Sequence, residues 1–462
     1  MLSLFLALLL CADLPTLQMQ SAMDHISAQS LRGHLSFIAS DALEGRATPS
    51  RGLDIAAEYI AAQFRRAGLE PIGDDGYFQT ATLVQREPNW EGFEMTFSAG
   101  AKTMRIDKSE AYLLPDGALN LHDVSVVVAD ASMPAAEARG KVVFLATPRG
   151  RGNFDEPALV IGANPNLPTG PQVRDPEAGP GRRGVTNIVN KPELAAFLKD
   201  NPGARLSVHM AAPIERPVKV HNVAGILRGS DPKLSDTYVL LTAHYDHLGT
   251  RGTGDDRIFN GANDDGSGTV SVVEIASAIA ALNPHPKRSI LFMTFFGEER
   301  GLVGSRYYGR HPLVPLDKTV ADLNLEQIGR TDATDGPQIG TASITGYDFS
   351  ELPKILADAG KIAGVKVYKN EEASDAYFAR SDNQALADVG IPAHTLCVAF
   401  DYPDYHKVGD HWEKVDYANM AKVDRAVALA LLHVASDAPP PKWNEENPKA
   451  KKYVEAAKKL HP

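Results

Sequence analysis

At 462 residues the chain is long enough for two or three domains and a large core. Its hydrophobic share of 44% and charged share of 23% are ordinary for a globular protein. A net charge of −11, with no basic stripe to offset it, argues against nucleic acid as a partner.

Residues 1–11, MLSLFLALLLC, are continuously apolar, the length of a signal-peptide core and too short to span a bilayer. Residues 1–22 are therefore expected to be a signal peptide, although the first basic residue is only Arg32. Two other readings stand beside it. Cys11 could carry a lipid, with Leu10 where a small residue is expected. Alternatively, translation could begin at Met23, which would leave the protein in the cytoplasm. Export to the periplasm or the exterior is the reading adopted. Cys11 and Cys397 are the only cysteines, which removes any cysteine-based zinc site. No later segment reads as a membrane span.

Residues 23–88 form a helical lead-in. Leu31, Leu35, Ile38 and Ala39 recur at helical spacing, residues 55–64 repeat the pattern, and Gly68 ends it. Glu44 to Thr48 reads as a loop between the helices. Residues 89–215 carry short strand-like runs at 111–114, 124–128 and 142–146, with Gly and Pro crowding 149–185, and read as a β-rich insert.

Residues 216–437 alternate between strands and helices. Strands are expected at 238–243, 289–296, 320–325 and 393–399, and helices at 268–282, 302–310, 350–363 and 420–435. Such alternation predicts an α/β fold, a mostly parallel central sheet with helices on both faces. The Pro- and Lys-rich residues 438–462 read as a mobile tail.

His244, Asp264, Glu299, Glu326 and His406 fall at the ends of these consecutive strands, where open α/β sheets build their sites. Two imidazoles and three carboxylates suit two divalent ions if one carboxylate bridges them. Each residue has an ordinary reading by itself. The His244–Asp246 pair could lie on a surface. The glycine-rich turn 261–268 could be a capped helix start, and Glu298–Glu299 an acidic first turn favoured by the helix dipole. Their joint occurrence favours a metal centre, with Asp246 holding the other ring nitrogen of His244 and Glu298 free to act as a base. His247, His394 and His411 read as structural or surface histidines. Arg380, Ser381 and Asp382 are candidates for a substrate pocket. Tyr377, Phe378, Phe400 and Tyr402 are read as core before pocket wall.

The motifs AHYDH (243–247), GANDDGSG (261–268), GEERGLVGS (297–305), NLEQIG (324–329) and YHKVGD (405–410) resemble, in order, those of the di-zinc aminopeptidase family of clan MH. That family includes secreted bacterial aminopeptidases, glutamate carboxypeptidase and the transferrin receptor. The resemblance spans about residues 216–437 and the lead-in at 24–70. It implies a zinc-peptidase (phosphorylase/hydrolase-like) fold and two Zn2+ per chain. His244, Asp264 and Glu326 would hold one ion, and Asp264, Glu299 and His406 the other. Asp264 would bridge and be followed by a cis peptide bond. Glu298 would be the general base, Asp246 the orienting residue behind His244, and Tyr405 a hydrogen-bond donor to the tetrahedral intermediate. Gly140 to Leu145 is similar to a strand of the protease-associated domain that some relatives carry within this insert. The chain departs from the family pattern at Glu326, where many members have Asp, and at Asn383, where many have His.

The expected function is metal-assisted hydrolysis of peptides, with an aminopeptidase as first choice. A carboxypeptidase or dipeptidase of the same clan, a one-zinc glutaminyl cyclase-like enzyme and a non-catalytic binding module on the same fold are the alternatives. A two-metal phosphodiester hydrolase fits less well, because no arginine cluster is present to clamp a phosphate.

Overall fold

A computed structural model describes residues 16–461 apart from 131, 147–153, 166, 168–170, 179–186, 253 and 437–438. The expected signal peptide and Cys11 fall largely or wholly outside the described residues. Two compact units are present, one built from residues up to Ala81 together with Lys219–Pro462, the other from Thr82–Val218.

The larger unit is built on a mixed, mainly parallel sheet. Ala393–Cys397, Thr319–Leu325, Tyr238–His244 and Ser289–Phe295 lie side by side and parallel, with Leu241 opposite Phe292 and Leu323 opposite His394. The later half of Ile214–Leu227 pairs antiparallel with Ser289–Phe295, and Thr341–Ile344 antiparallel with Ala393–Cys397. The two middle strands, Tyr238–His244 and Ser289–Phe295, are buried at every position. That burial explains their near-continuous apolar sequence, as expected of a parallel sheet covered on both faces.

Helices Ala28–Ile38, Arg51–Arg66, Gly268–Ala280, Leu352–Ala363 and Tyr417–Ser436 surround this sheet. Ser27 and Ser50 cap the first two, their hydroxyls accepting the main-chain N–H of Ser30 and Leu53. Gly268–Ala280 is buried up to Ile279, and its buried Glu274 accepts from the main-chain N–H of Ser27 and the hydroxyl of Ser30. A side chain at Gly268 would put its Cβ 2.4 Å from the Asp265 carboxylate and 2.6 Å from the Leu325 carbonyl, so glycine is required at that approach of helix to strand end. Among the described residues, no helix is long and apolar enough to cross a membrane.

Two expectations are corrected. The lead-in does not stay helical to 88, because Phe78–Glu87 is a strand with alternating burial over part of its length. Residues 438–462 are not a mobile tail either. Lys451–Leu460 is a helix, and Trp443, Ala450, Tyr453 and Val454 join the core of the larger unit. Trp443 Nε1 donates to the Gly390 carbonyl, and the Tyr453 hydroxyl bonds Gln384. Apolar residues spaced along a lysine-rich segment are enough to dock it, since lysines occupy only the outward face.

The smaller unit is a sheet ordered Lys102–Arg105, Glu94–Ala99, Arg205–Met210, Leu119–Ala129, Val142–Leu145, Leu159–Ala163, Ile188–Val189 and Ala111–Tyr112. Helix Pro192–Asp200 packs Leu194 and Leu198 into its core beside Phe97, Phe144 and Leu206.

Candidate metal centre

The chemistry-bearing residues meet at the carboxyl ends of the parallel strands. His244 ends one strand, Glu326 directly follows Leu325 of its neighbour, and Glu298 and Glu299 follow Phe295 of the next. Asp264 arrives from the turn ahead of Gly268–Ala280, and the Asp264–Asp265 peptide is cis. His406, with φ of +54°, comes from a loop after the Ala393–Cys397 strand.

Nitrogen–oxygen distances define the cluster. His244 Nε2 lies 3.3 Å from Asp264 Oδ1, and His406 Nε2 lies 3.1 Å from Asp264 Oδ2 and 3.2 Å from Glu299 Oε1. Donor atoms of His244, Asp264 and Glu326 lie within 4.8 Å of one another, and so do those of His247, Asp264 and Glu299. Asp264 belongs to both groups.

His244 Nε2 and Glu299 Oε1 are buried and have no hydrogen-bond partner. Buried polar atoms are normally satisfied, so unpaired nitrogen and oxygen donors converging on one space suit divalent cations. The charge balance agrees. Burial and the nearby acids Glu326 and Glu299 push the Glu298 carboxyl well above its ordinary value, against the pull of His244. Burial and Asp264 push Glu299 upward, yet His247 and His406 outweigh them and bring it down to about 2.

The surroundings hold the set in place. His244 Nδ1 faces the main-chain carbonyl of Asp246 at 3.1 Å, while the carboxylate of Asp246 is 3.6 Å away. Both the backbone carbonyl and the carboxylate of Asp246 therefore face the ring nitrogen, the carbonyl being the nearer. That carboxylate also accepts the main-chain N–H of Glu298 and the hydroxyl of Thr48. Asp410 accepts the main-chain N–H groups of Asn263 and Asp264 and the hydroxyl of the buried Tyr402.

Arg46 is a residue that sequence reading passed over inside the lead-in loop. Fully buried, it donates to the carbonyls of Tyr245, Ile38, Asn260 and Gly261. Burial lowers its guanidinium to about 10 against the opposing pull of Asp246, Asp410 and Asp264. Its charge and its fork of donors tie the helical lead-in to the loops just after His244 and just before Asp264.

A cavity opens over the cluster, with Tyr405, Arg380, Ser381, Tyr377 and Phe400 in its lining. Tyr405 stacks on the His406 ring at 4.1 Å, and the Arg380 guanidinium lies 4.4 Å above Tyr377. Phe378 and Tyr402 are core residues, as the sequence favours, whereas Tyr377 and Phe400 are pocket walls. Asp382 is buried below the pocket and accepts from Ser305. Asn383 is also buried. It accepts from Thr395 and donates to the Phe378 carbonyl, so it supports the pocket from behind. His394 is structural, bonded to Ser350 and Thr345, and His411 lies 3.7 Å from Asp256. His247 is the exception among the leftover histidines, since its Nδ1 lies 2.9 Å from Glu299 Oε1.

Residues 222–431 match peptidase family M28. The chain is 28% identical over 286 residues to mouse Aminopeptidase NAALADL1, a stretch covering 52% of this chain and 36% of that protein. It is 32% identical over 120 residues to a probable zinc metalloprotease of Pyrenophora teres f. teres, covering 26% of this chain and 25% of that protein. These matches thus span well under two thirds of either relative. In fold the chain is similar to an aminopeptidase from Aneurinibacillus sp. strain AM-1, with a TM-score of 0.62 at 19% identity, covering 91% of this chain and 97% of that one.

Proposed function

We propose that the peptidase family M28 domain at residues 222–431 makes this chain a zinc-dependent exopeptidase, an aminopeptidase that releases N-terminal residues from peptides. The reading rests on one observation above others. The Asp264 carboxylate lies between two imidazoles, 3.3 Å from His244 Nε2 and 3.1 Å from His406 Nε2, with Glu326 grouped on the first side and Glu299 beside His406 on the other.

His244, Asp264 and Glu326 would hold one zinc ion, and Asp264, Glu299 and His406 the other. A zinc pair bound there supplies Lewis acidity and brings the pKa of water toward neutrality. Glu298 takes the proton of the attacking water on a carboxylate oxygen and passes it to the departing amine. Its raised proton affinity, caused by burial and by Glu326 and Glu299, suits the second half of that transfer. Tyr405 offers its phenolic O–H to the developing oxyanion. Burial, Asp264 and Glu326 hold that phenol well above its ordinary value, so it keeps its proton at neutral pH. The acidic lining suits a free N-terminal ammonium group.

A second reading draws on Arg380. Its guanidinium lines the same cavity and could meet a substrate carboxylate, which favours a dipeptidase or carboxypeptidase. One experiment separates them. Purified protein is stripped of metal, reloaded with zinc, and assayed on matched aminoacyl, N-blocked aminoacyl, dipeptide and C-amidated substrates. Zinc-dependent cleavage of free but not N-blocked substrates, indifferent to C-amidation, supports the aminopeptidase. Dependence on a free carboxylate supports the second reading. Activity that survives chelation overturns both.

A further inference from the structure

We infer that His247 is a third imidazole donor of the metal centre, binding through Nδ1 at the position shared by Asp264 and Glu299. This rests on the two-zinc reading above and adds a ligand to it.

The first observation is distance. His247 Nδ1 is 2.9 Å from Glu299 Oε1, and His247, Asp264 and Glu299 offer donor atoms within 4.8 Å of one another. Ligands of one tetrahedral zinc ion, bound at about 2.0–2.1 Å, sit about 3.3 Å apart. The contacts of His244 with Asp264 at 3.3 Å and of His406 with Glu299 at 3.2 Å have that spacing, and His247 falls just inside it.

The second observation is direction. His247 Nδ1 lies 2.9 Å from Glu299 Oε1 and lowers the pKa of that carboxyl, yet the pair is not in hydrogen-bond geometry. Glu299 Oε1 is likewise unpaired, and so is His244 Nε2. Both ring nitrogens of His247 are buried and unpaired, and it is Nδ1 that lies among the donor atoms of Asp264 and Glu299. A histidine that only propped Glu299 would place its N–H along the line to the oxygen.

The third observation is fixation. His247 is 1% exposed, its main-chain N–H donates to the Arg46 carbonyl, and a Cβ at Gly261 would lie 2.5 Å from its ring. The ring is thus wedged against Gly261, where it occupies the space a side chain would need and a φ of +58° also favours glycine. His406, by contrast, has a side chain 39% exposed on a loop. The second position would have one rigid imidazole from within the fold and one from the pocket rim.

Zinc binding by the metal-free full chain tests this, with wild type compared to His247→Ala and His247→Asn. Asparagine places an N–H donor near the Nδ1 position but is a poor zinc ligand. Removing a residue that merely orients a ligand weakens binding about 10–100-fold. Loss of the second zinc by more than about 100-fold in both variants, with the first zinc retained, is the expected result. An asparagine variant weakened by less than that overturns the inference. X-ray absorption of the zinc-loaded wild type gives an answer that needs no variant. Three imidazoles shared between two zinc ions support His247 as a ligand, and two contradict it. A wild type that binds fewer than two zinc ions would instead overturn the two-zinc reading itself.

Discussion

Asp246 Oδ1 accepts the main-chain N–H of Glu298 at 3.0 Å. The main-chain carbonyl of Asp246 lies 3.1 Å from His244 Nδ1. Asp246 therefore sets the position of the proposed base and, by accepting from Nδ1, leaves Nε2 of His244 free for a metal. Asp246→Asn keeps the carbonyl and the size but can turn an amide N–H toward Glu298. Turnover is expected to fall on the order of 10–100-fold with zinc content close to wild type. Steady-state kinetics paired with metal analysis checks this, and unchanged turnover contradicts it.

Glu298 stands apart from both metal-facing groups. Glu298→Gln keeps its volume and removes its ability to carry a proton. The variant should retain zinc and lose turnover by about 10²–10⁴-fold. Full activity would remove Glu298 from the role of base.

Arg46 satisfies four main-chain carbonyls in a fully buried setting. Arg46→Met fills similar space but leaves those carbonyls, and the acids around them, without a donor or a counter-charge. Removing one partner from such a buried arrangement costs about 3–5 kcal/mol. Denaturant unfolding of the metal-free protein measures that loss, and a variant as stable as wild type contradicts the structural role.

His394 gives the protein a pH-dependent element away from the metal-facing groups. Its Nδ1 donates to the Thr345 carbonyl and its Nε2 accepts from the Ser350 hydroxyl, so the ring is held neutral. Burial lowers its pKa from 6.5 to about 4, with the Thr345 bond opposing. The unfolded chain thus binds this proton more readily than the folded one. The stabilisation from His394 is complete above pH 6.5 and is lost as pH falls toward 4, a span worth roughly 3 kcal/mol. Unfolding titrations at pH 7 and pH 5 should show a steeper loss of stability in wild type than in His394→Gln. Parallel losses would contradict it.

Much of the larger unit was legible because burial writes itself into sequence. The runs ending at His244 and Phe295 are mostly apolar, and the acids or histidines at or just beyond the strand ends stand out. What lay hidden depends on contacts between distant residues. Arg46 looks like any loop arginine until Tyr245, Asn260 and Gly261 fold around it. His247 is indistinguishable from a core histidine in sequence, because its closeness to Glu299 joins two separate strand ends. Trp443 and Tyr453 sit among prolines and lysines, so composition suggested a tail while those aromatic anchors dock it. One signal was available there, since tryptophan, alanine, tyrosine and valine at 443, 450, 453 and 454 give the segment an apolar side.

The central claim is that two cations are gripped around Asp264. Diffraction from zinc-loaded crystals, recorded across the zinc absorption edge, tests it most directly. The account predicts two anomalous peaks flanking the Asp264 carboxylate, one beside His244 and Glu326, the other beside Glu299 and His406. A single peak, or none within reach of Asp264 at saturating zinc, would contradict it.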